Sequence, residues 1–159
     1  NSSSLDAGAK LRKNLARAQP LGKNERALGD AMKFAKIVFW IAGIWGVLVL
    51  TPLYFMFDLI ARKDPPPITH PAFFYGFIGA GLAWQLAFFV IATDPARYRA
   101  LMIPSVFEKL SYGIAVVILV VQGRMRSSDL LFGGVDLLLG LLFVIAYLKT
   151  PRRESPRTT

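Results

Sequence analysis

A chain of 159 residues, 54% of them hydrophobic and with a mean hydropathy of +0.45, is too apolar for a soluble domain of its size, and the apolar residues come in blocks that suit a membrane. Cysteine is absent and histidine occurs once, which excludes disulfides, thiolate nucleophiles, cysteine-held zinc or iron–sulfur centres and any multi-histidine metal site built within one chain. The formal charge of +9 lies at the two ends and in the loops with no interleaved aromatic residues, a distribution that faces anionic lipid and excludes a nucleic-acid partner.

Residues 1–32 form a polar, basic segment. Leu5, Leu11 and Leu15 are loosely helix-spaced, so this stretch reads either as a surface amphipathic helix or as a solvated tail, with a break expected at Pro20 and Gly22. The first span is expected over 34–60, longer than the ~20 residues that cross a bilayer core. Ala42, Gly43 and Gly46 give it a small-residue patch for a neighbouring helix, and Thr51-Pro52 predicts a kink in its last third. Residues 61–71, ARKDPPPITHP, read as a stiff loop that carries the single histidine, His70, as a solvated residue.

The second span, 72–93, is rich in small residues, with Gly76, Gly79 and Gly81 expected at a helix interface and Trp84-Gln85 interrupting its apolar run. The tight turn DPARYR over 94–99 makes an antiparallel hairpin with the third span, 100–122. Pro104 falls in the first turn of that span, where it has no backbone hydrogen bond to lose. The fourth span, 130–148, carries Gly133, Gly134 and Gly140 for close packing and Asp136 within it, and the tail 150–159 is basic and expected to be disordered. The fold class expected is therefore all-α, a four-helix transmembrane bundle over residues 33–149. Of nineteen Lys and Arg residues, fourteen lie at the two termini and in the turn between spans two and three and four lie in the other loops, which predicts that both termini are cytoplasmic.

The stretch MIPSVFEKLSYG, 102–113, places Glu108 and Lys109 side by side inside a span. At ~1.5 Å of rise per residue Glu108 lies ~12 Å from the start of its span, level with Gln85 across the hairpin and with Trp45 of span one. A buried network is expected, pairing Glu108 with Gln85 and with Trp45 or Tyr112, and Lys109 with Asp136, because an unpaired charge at this depth costs at least ~2.5–3.5 kcal/mol. Neighbouring helix positions point ~100° apart, so Glu108 and Lys109 are expected to address different neighbours. The functional reading is a proton relay or a headgroup site. The structural reading is a polar layer that sets helix register, with Lys109 reaching toward the membrane face.

Four short spans, a glycine-rich second span, the DPARYR turn and an acidic residue within GGVDLLLGLLF resemble the small bacterial four-helix membrane proteins of the DoxX-like type, over residues 34–148. The resemblance implies a bacterial cytoplasmic membrane and, since some such proteins are associated with quinone-linked oxidoreductases, a quinone-linked role, but it assigns no catalytic residue. Three functions are expected from the sequence. The first is a non-catalytic accessory subunit of a larger membrane complex, respiratory or photosynthetic, with lipid, quinone or pigment at its surface, partner subunits beside it and no cofactor within the chain. The second is a quinone-linked oxidoreductase component, and the third a small transporter or lipid-binding protein.

Overall fold

The computed structural model describes residues 2–63 and 68–152, with side chains described from residue 22 onward. All its regular structure is helical: α1 (Ser2–Leu50), α2 (Phe57–Lys63), α3 (Pro71–Thr93), α4 (Met102–Val121) and α5 (Leu130–Lys149), joined in part by short 3-10 turns. Four stretches are long and apolar enough to cross a membrane: Gly22–Phe55, Pro71–Thr93, Arg99–Val121 and Ser127–Lys149. The exterior supports the same conclusion. Leu48, Phe55, Phe73, Phe107 and Val121 are each more than three-fifths exposed, an apolar outer surface that water would not tolerate and lipid requires. The protein is an all-helical integral membrane bundle.

The helix boundaries differ from the expected ones in two places and agree at the expected kink, each for a local reason. α1 continues through residues 20–22 without the expected break, because one proline removes a single backbone bond and strong helix formers flank it on both sides. The first span loses its α geometry at Pro52 as expected, passing through a 3-10 turn at Thr51–Phe55 and breaking at Met56. The beginning of the expected loop is helical as α2, which holds Asp58 in its first turn and Arg62 and Lys63 in its last, a charge order that suits the helix dipole. Residues 64–67 of that loop, the amphipathic face expected near Leu5, Leu11 and Leu15, and the tail from residue 153 lie outside the described residues and side chains.

α3 opens with Pro71 in its first turn, where no backbone partner is lost. α4 opens at Met102, so Pro104 sits in its first turn, and the helix ends in a pair of hydrogen bonds, Gly123 N–H to Val120 O and Arg124 N–H to Leu119 O. That ending needs the left-handed φ of 68° that Gly123 supplies.

The spans pack as two intimate pairs, α1 with α3 and α4 with α5, and α1 against α5 joins the pairs. α3 and α4, consecutive in sequence, diverge from their turn and touch little along their length. The expected hairpin is therefore one of connection and not of packing. Glycine explains the preference. A Cβ on Gly113 would lie 2.6 Å from Leu137 Cγ, and one on Gly133 would lie 2.8 Å from Val116 Cβ, so α4 and α5 approach more closely than side chains allow. On α1, a Cβ at Gly43 would overlap the Phe89 ring and one at Gly46 the Gln85 amide, so these two positions admit the side chains of α3.

Phe39, Phe88 and Phe143, from α1, α3 and α5, fill the half of the bundle nearest the termini, with Phe39 and Phe143 stacked at 4.2 Å between ring centroids and Phe88 edge-on to Phe143 at 5.1 Å. Ala35, Ala42, Ile91, Ala92, Met102 and Ala146 pack around them. Below this core Arg99 donates to Thr150 O at 2.8 Å and lies over the Tyr147 ring at 3.8 Å, tying the α3–α4 turn to the end of α5.

Replacing Gly113 by Val should destabilise the bundle by about 1–3 kcal/mol, since the added atoms meet Leu137 and the Gly133 backbone. Gly134→Ala should be neutral or slightly stabilising, because nothing lies within 4 Å of a Cβ there and alanine is the better helix former. Unfolding in mixed detergent micelles measures both.

Candidate ligand cavity within the bundle

The close approach of α4 and α5 brings Lys109 to Asp136. A Cβ on Gly140 would lie 3.4 Å from Lys109 Cβ, so the lysine stem runs along the glycine face of α5. Its Nζ reaches Asp136 Oδ1 at 3.2 Å and Oδ2 at 3.3 Å. Lys109 is 3% exposed and Asp136 8% exposed, so this is an ion pair removed from solvent. Such a pair holds only because each charge has its partner, and removing one leaves the other stranded in an apolar medium.

Glu108 joins the same cation, which differs from the expected division of labour. Nζ donates to Glu108 Oε1 at 3.4 Å, while Oε2 lies equally near but off the donor line and has no hydrogen-bond partner among the described residues. The 100° offset along the helix is overcome by the length of the lysine side chain, which folds back between the two carboxylates. Glu108 does not pair with Gln85. Gln85 Nε2 instead donates to Gly81 O, one turn back on its own helix, at 2.8 Å, because α3 and α4 are not packed closely enough for the amide to cross. Gln85 is 1% exposed and its Oε1 has no hydrogen-bond partner among the described residues. That bond to a carbonyl, which can only accept, fixes which end of the amide is nitrogen.

These groups share one cavity of about 250 Å³. Trp45, Gly46 and Leu50 of α1, Gly81 and Gln85 of α3, Glu108, Lys109 and Tyr112 of α4 and Asp136 of α5 all line it, so every span contributes. The phenylalanine core lies just beyond Lys109, whose Nζ stands 5.4 Å from the centroid of the Phe88 ring. On the side nearest the loops, Phe77 of α3 and Tyr112 of α4 approach to 6.2 Å between rings. The divergence of α3 and α4 leaves the cavity between these two contacts. Its walls are mostly apolar with a few convergent polar groups, the make-up of a small-molecule site, and its size is just below the usual range of about 300–1,000 Å³.

Of the residues singled out in the sequence, Glu108, Lys109, Asp136, Gln85 and Trp45 therefore lie on one cavity, although the bonds among them differ from those expected. Of the glycines, Gly43, Gly46 and Gly140 stand at close helix contacts, and Gly79 makes an ordinary contact with the Tyr54 hydroxyl at 3.5 Å. Gly76 and Gly134 have nothing within 4 Å of a Cβ position, so the packing role expected of them is not theirs. They lie on the faces of α3 and α5 turned away from the neighbouring helices. Gly113, which sequence reasoning passed over, makes the tighter contact. Its signal was the i, i+4 offset from Lys109, which puts it on the helix face that meets α5. His70 is exposed just before α3, with its ring edge-on to Phe73 at 5.8 Å, and does not line the cavity. No group of three or more metal-binding side chains occurs among the described residues.

No family model, no curated protein and no solved structure matches the chain.

Lys109→Met should destabilise the bundle by roughly 3 kcal/mol, because Glu108 and Asp136 then face an apolar interior without their cation. Adding Asp136→Leu to Lys109→Met should recover part of that loss. Detergent unfolding of the two single variants and the double variant measures the coupling, and simple additivity would show that the pair is not the constraint described.

Proposed function

We propose that this protein binds the polar end of a small molecule dissolved in the membrane, acting as an intramembrane small-molecule binding or carrier protein. The observation that carries this reading is the meeting of Glu108, Lys109, Asp136 and Gln85 on one cavity lined by all four spans. Charges placed only to set helix register need no space beside them, and close packing would be the cheaper arrangement. The excess of Lys and Arg near both termini supports a cytoplasmic location for them. The four-helix layout is compatible with a bacterial cytoplasmic membrane.

A second reading, an accessory subunit of a larger membrane complex, draws on a different observation. Residues 22–30 of α1 are helical and all exposed, so the first span continues beyond the bundle as a polar face that no described residue covers. The two readings are compatible, since a binding subunit can dock through its amino-terminal helix.

Native mass spectrometry of the protein released from lipid nanodiscs tests the first reading. The wild type should carry a small-molecule adduct distinct from bulk phospholipid. Val49→Phe, which fills the cavity from α1, should lose that adduct while keeping its thermal unfolding midpoint. Identical spectra for the two proteins would contradict the proposal.

A further inference from the structure

The chemistry of the cavity selects its ligand class, an inference that rests on the binding role proposed above. Glu108 and Asp136 bring two carboxylates to the single ammonium of Lys109, so the cluster as built carries one negative charge in a medium that penalises it. Electroneutrality calls for one more proton or one more cation. The two buried polar atoms on the cavity that lack a hydrogen-bond partner among the described residues, Gln85 Oε1 and Glu108 Oε2, are both acceptors. Lys109 Nζ already donates to the two carboxylates and Gln85 Nε2 to Gly81 O, while the Trp45 indole and the Tyr112 hydroxyl line the cavity beside them. The charged cluster therefore lacks one positive charge and has two acceptors beside it in want of a partner.

From these observations we infer that the cavity binds a small lipophilic amine in its ammonium form. A primary or secondary ammonium supplies the missing charge and up to three donors, which match the two acceptors in want of one. The rings of Trp45, Phe77, Tyr112 and Phe132 line the rest of the cavity, and aromatic faces favour a cation once it is desolvated. The Glu108 side chain is 20% exposed against 12% for Asp136 and 4% for Lys109, so Glu108 is the arm of the cluster that an incoming head meets first. Both acceptor oxygens are covered from water, and a rotation about the terminal bond of each side chain, a soft torsion, turns them to the ligand. The charge balance also describes the exchange. An amine that crosses the lipid neutral takes up the extra proton held by the carboxylates, becomes the ammonium, and leaves Glu108 and Asp136 both ionised beside two cations. The cavity is electroneutral before and after.

Isothermal titration of the full chain in lipid nanodiscs with benzylamine and with benzyl alcohol, which share a shape but not a charge, tests this without any variant. Benzylamine should bind at least about tenfold more tightly than the alcohol, the discrimination expected of one charge-assisted hydrogen bond. Glu108→Gln should remove most of that preference. Gln85→Leu should reduce it by a smaller factor, and the variant's retained thermal midpoint shows that the fold persists. Equal binding of amine and alcohol to the wild type would overturn the amine assignment and leave the binding role standing. Failure of both probes to bind, with no difference between wild type and Val49→Phe, would overturn both. Amine affinity unchanged in Glu108→Gln would show an adventitious amine held elsewhere in the membrane and would also overturn the assignment.

Discussion

The structure depends on a lysine that has no water to turn to. Lys109 sits deep in a four-helix membrane bundle, 3% exposed, and every donor on its ammonium has to be met by the protein itself. Asp136 meets it from α5 and Glu108 from its own helix. That requirement brings α4 and α5 together, and the helices come near enough only because Gly113, Gly133 and Gly140 remove the side chains that would hold them apart. The ion pair and the tightest helix contact are one constraint seen from two sides.

A second feature follows from what lies on either side of that layer. Toward the termini the bundle is filled by Phe39, Phe88 and Phe143 and closed by the bond from Arg99 to Thr150. Toward the loops α3 parts from α4, and space opens beside the charges. A charged cluster beside a mostly apolar cavity with a few convergent polar groups points to a ligand more than to helix register alone. The free acceptors, the excess negative charge and the aromatic walls describe a consistent complement for a small cation with an apolar body.

Much of this was legible in the sequence because the bilayer imposes a simple rule. Runs of about twenty apolar residues mark spans, and depth counted along antiparallel helices puts Asp136 nearer the opposite face but within reach of the long Lys109 side chain. Hydropathy does not carry the azimuth of each helix, and there the reading failed. Gly76 and Gly113 look alike as letters, yet one faces away from the bundle and the other faces Leu137. Gln85 is level with Glu108 along the helix axis but turns to its own backbone, because sequence neighbours need not be packing neighbours and α3 prefers the small-residue face of α1. The convergence of Glu108 and Lys109 was hidden for a related reason: the angle between adjacent positions fixes where Cβ atoms point and not where a long flexible stem ends.

Chemical modification of Glu108 from within the bilayer tests the central claim most directly, that a cavity reaches this carboxyl group inside the bundle. Diisopropylcarbodiimide dissolved in the lipid, followed by peptide mapping, should modify Glu108 in preference to Asp136, and Val49→Phe, which fills the cavity, should protect it. A Glu108 that stays unmodified, or that is modified equally in the wild type and in Val49→Phe, would contradict the account.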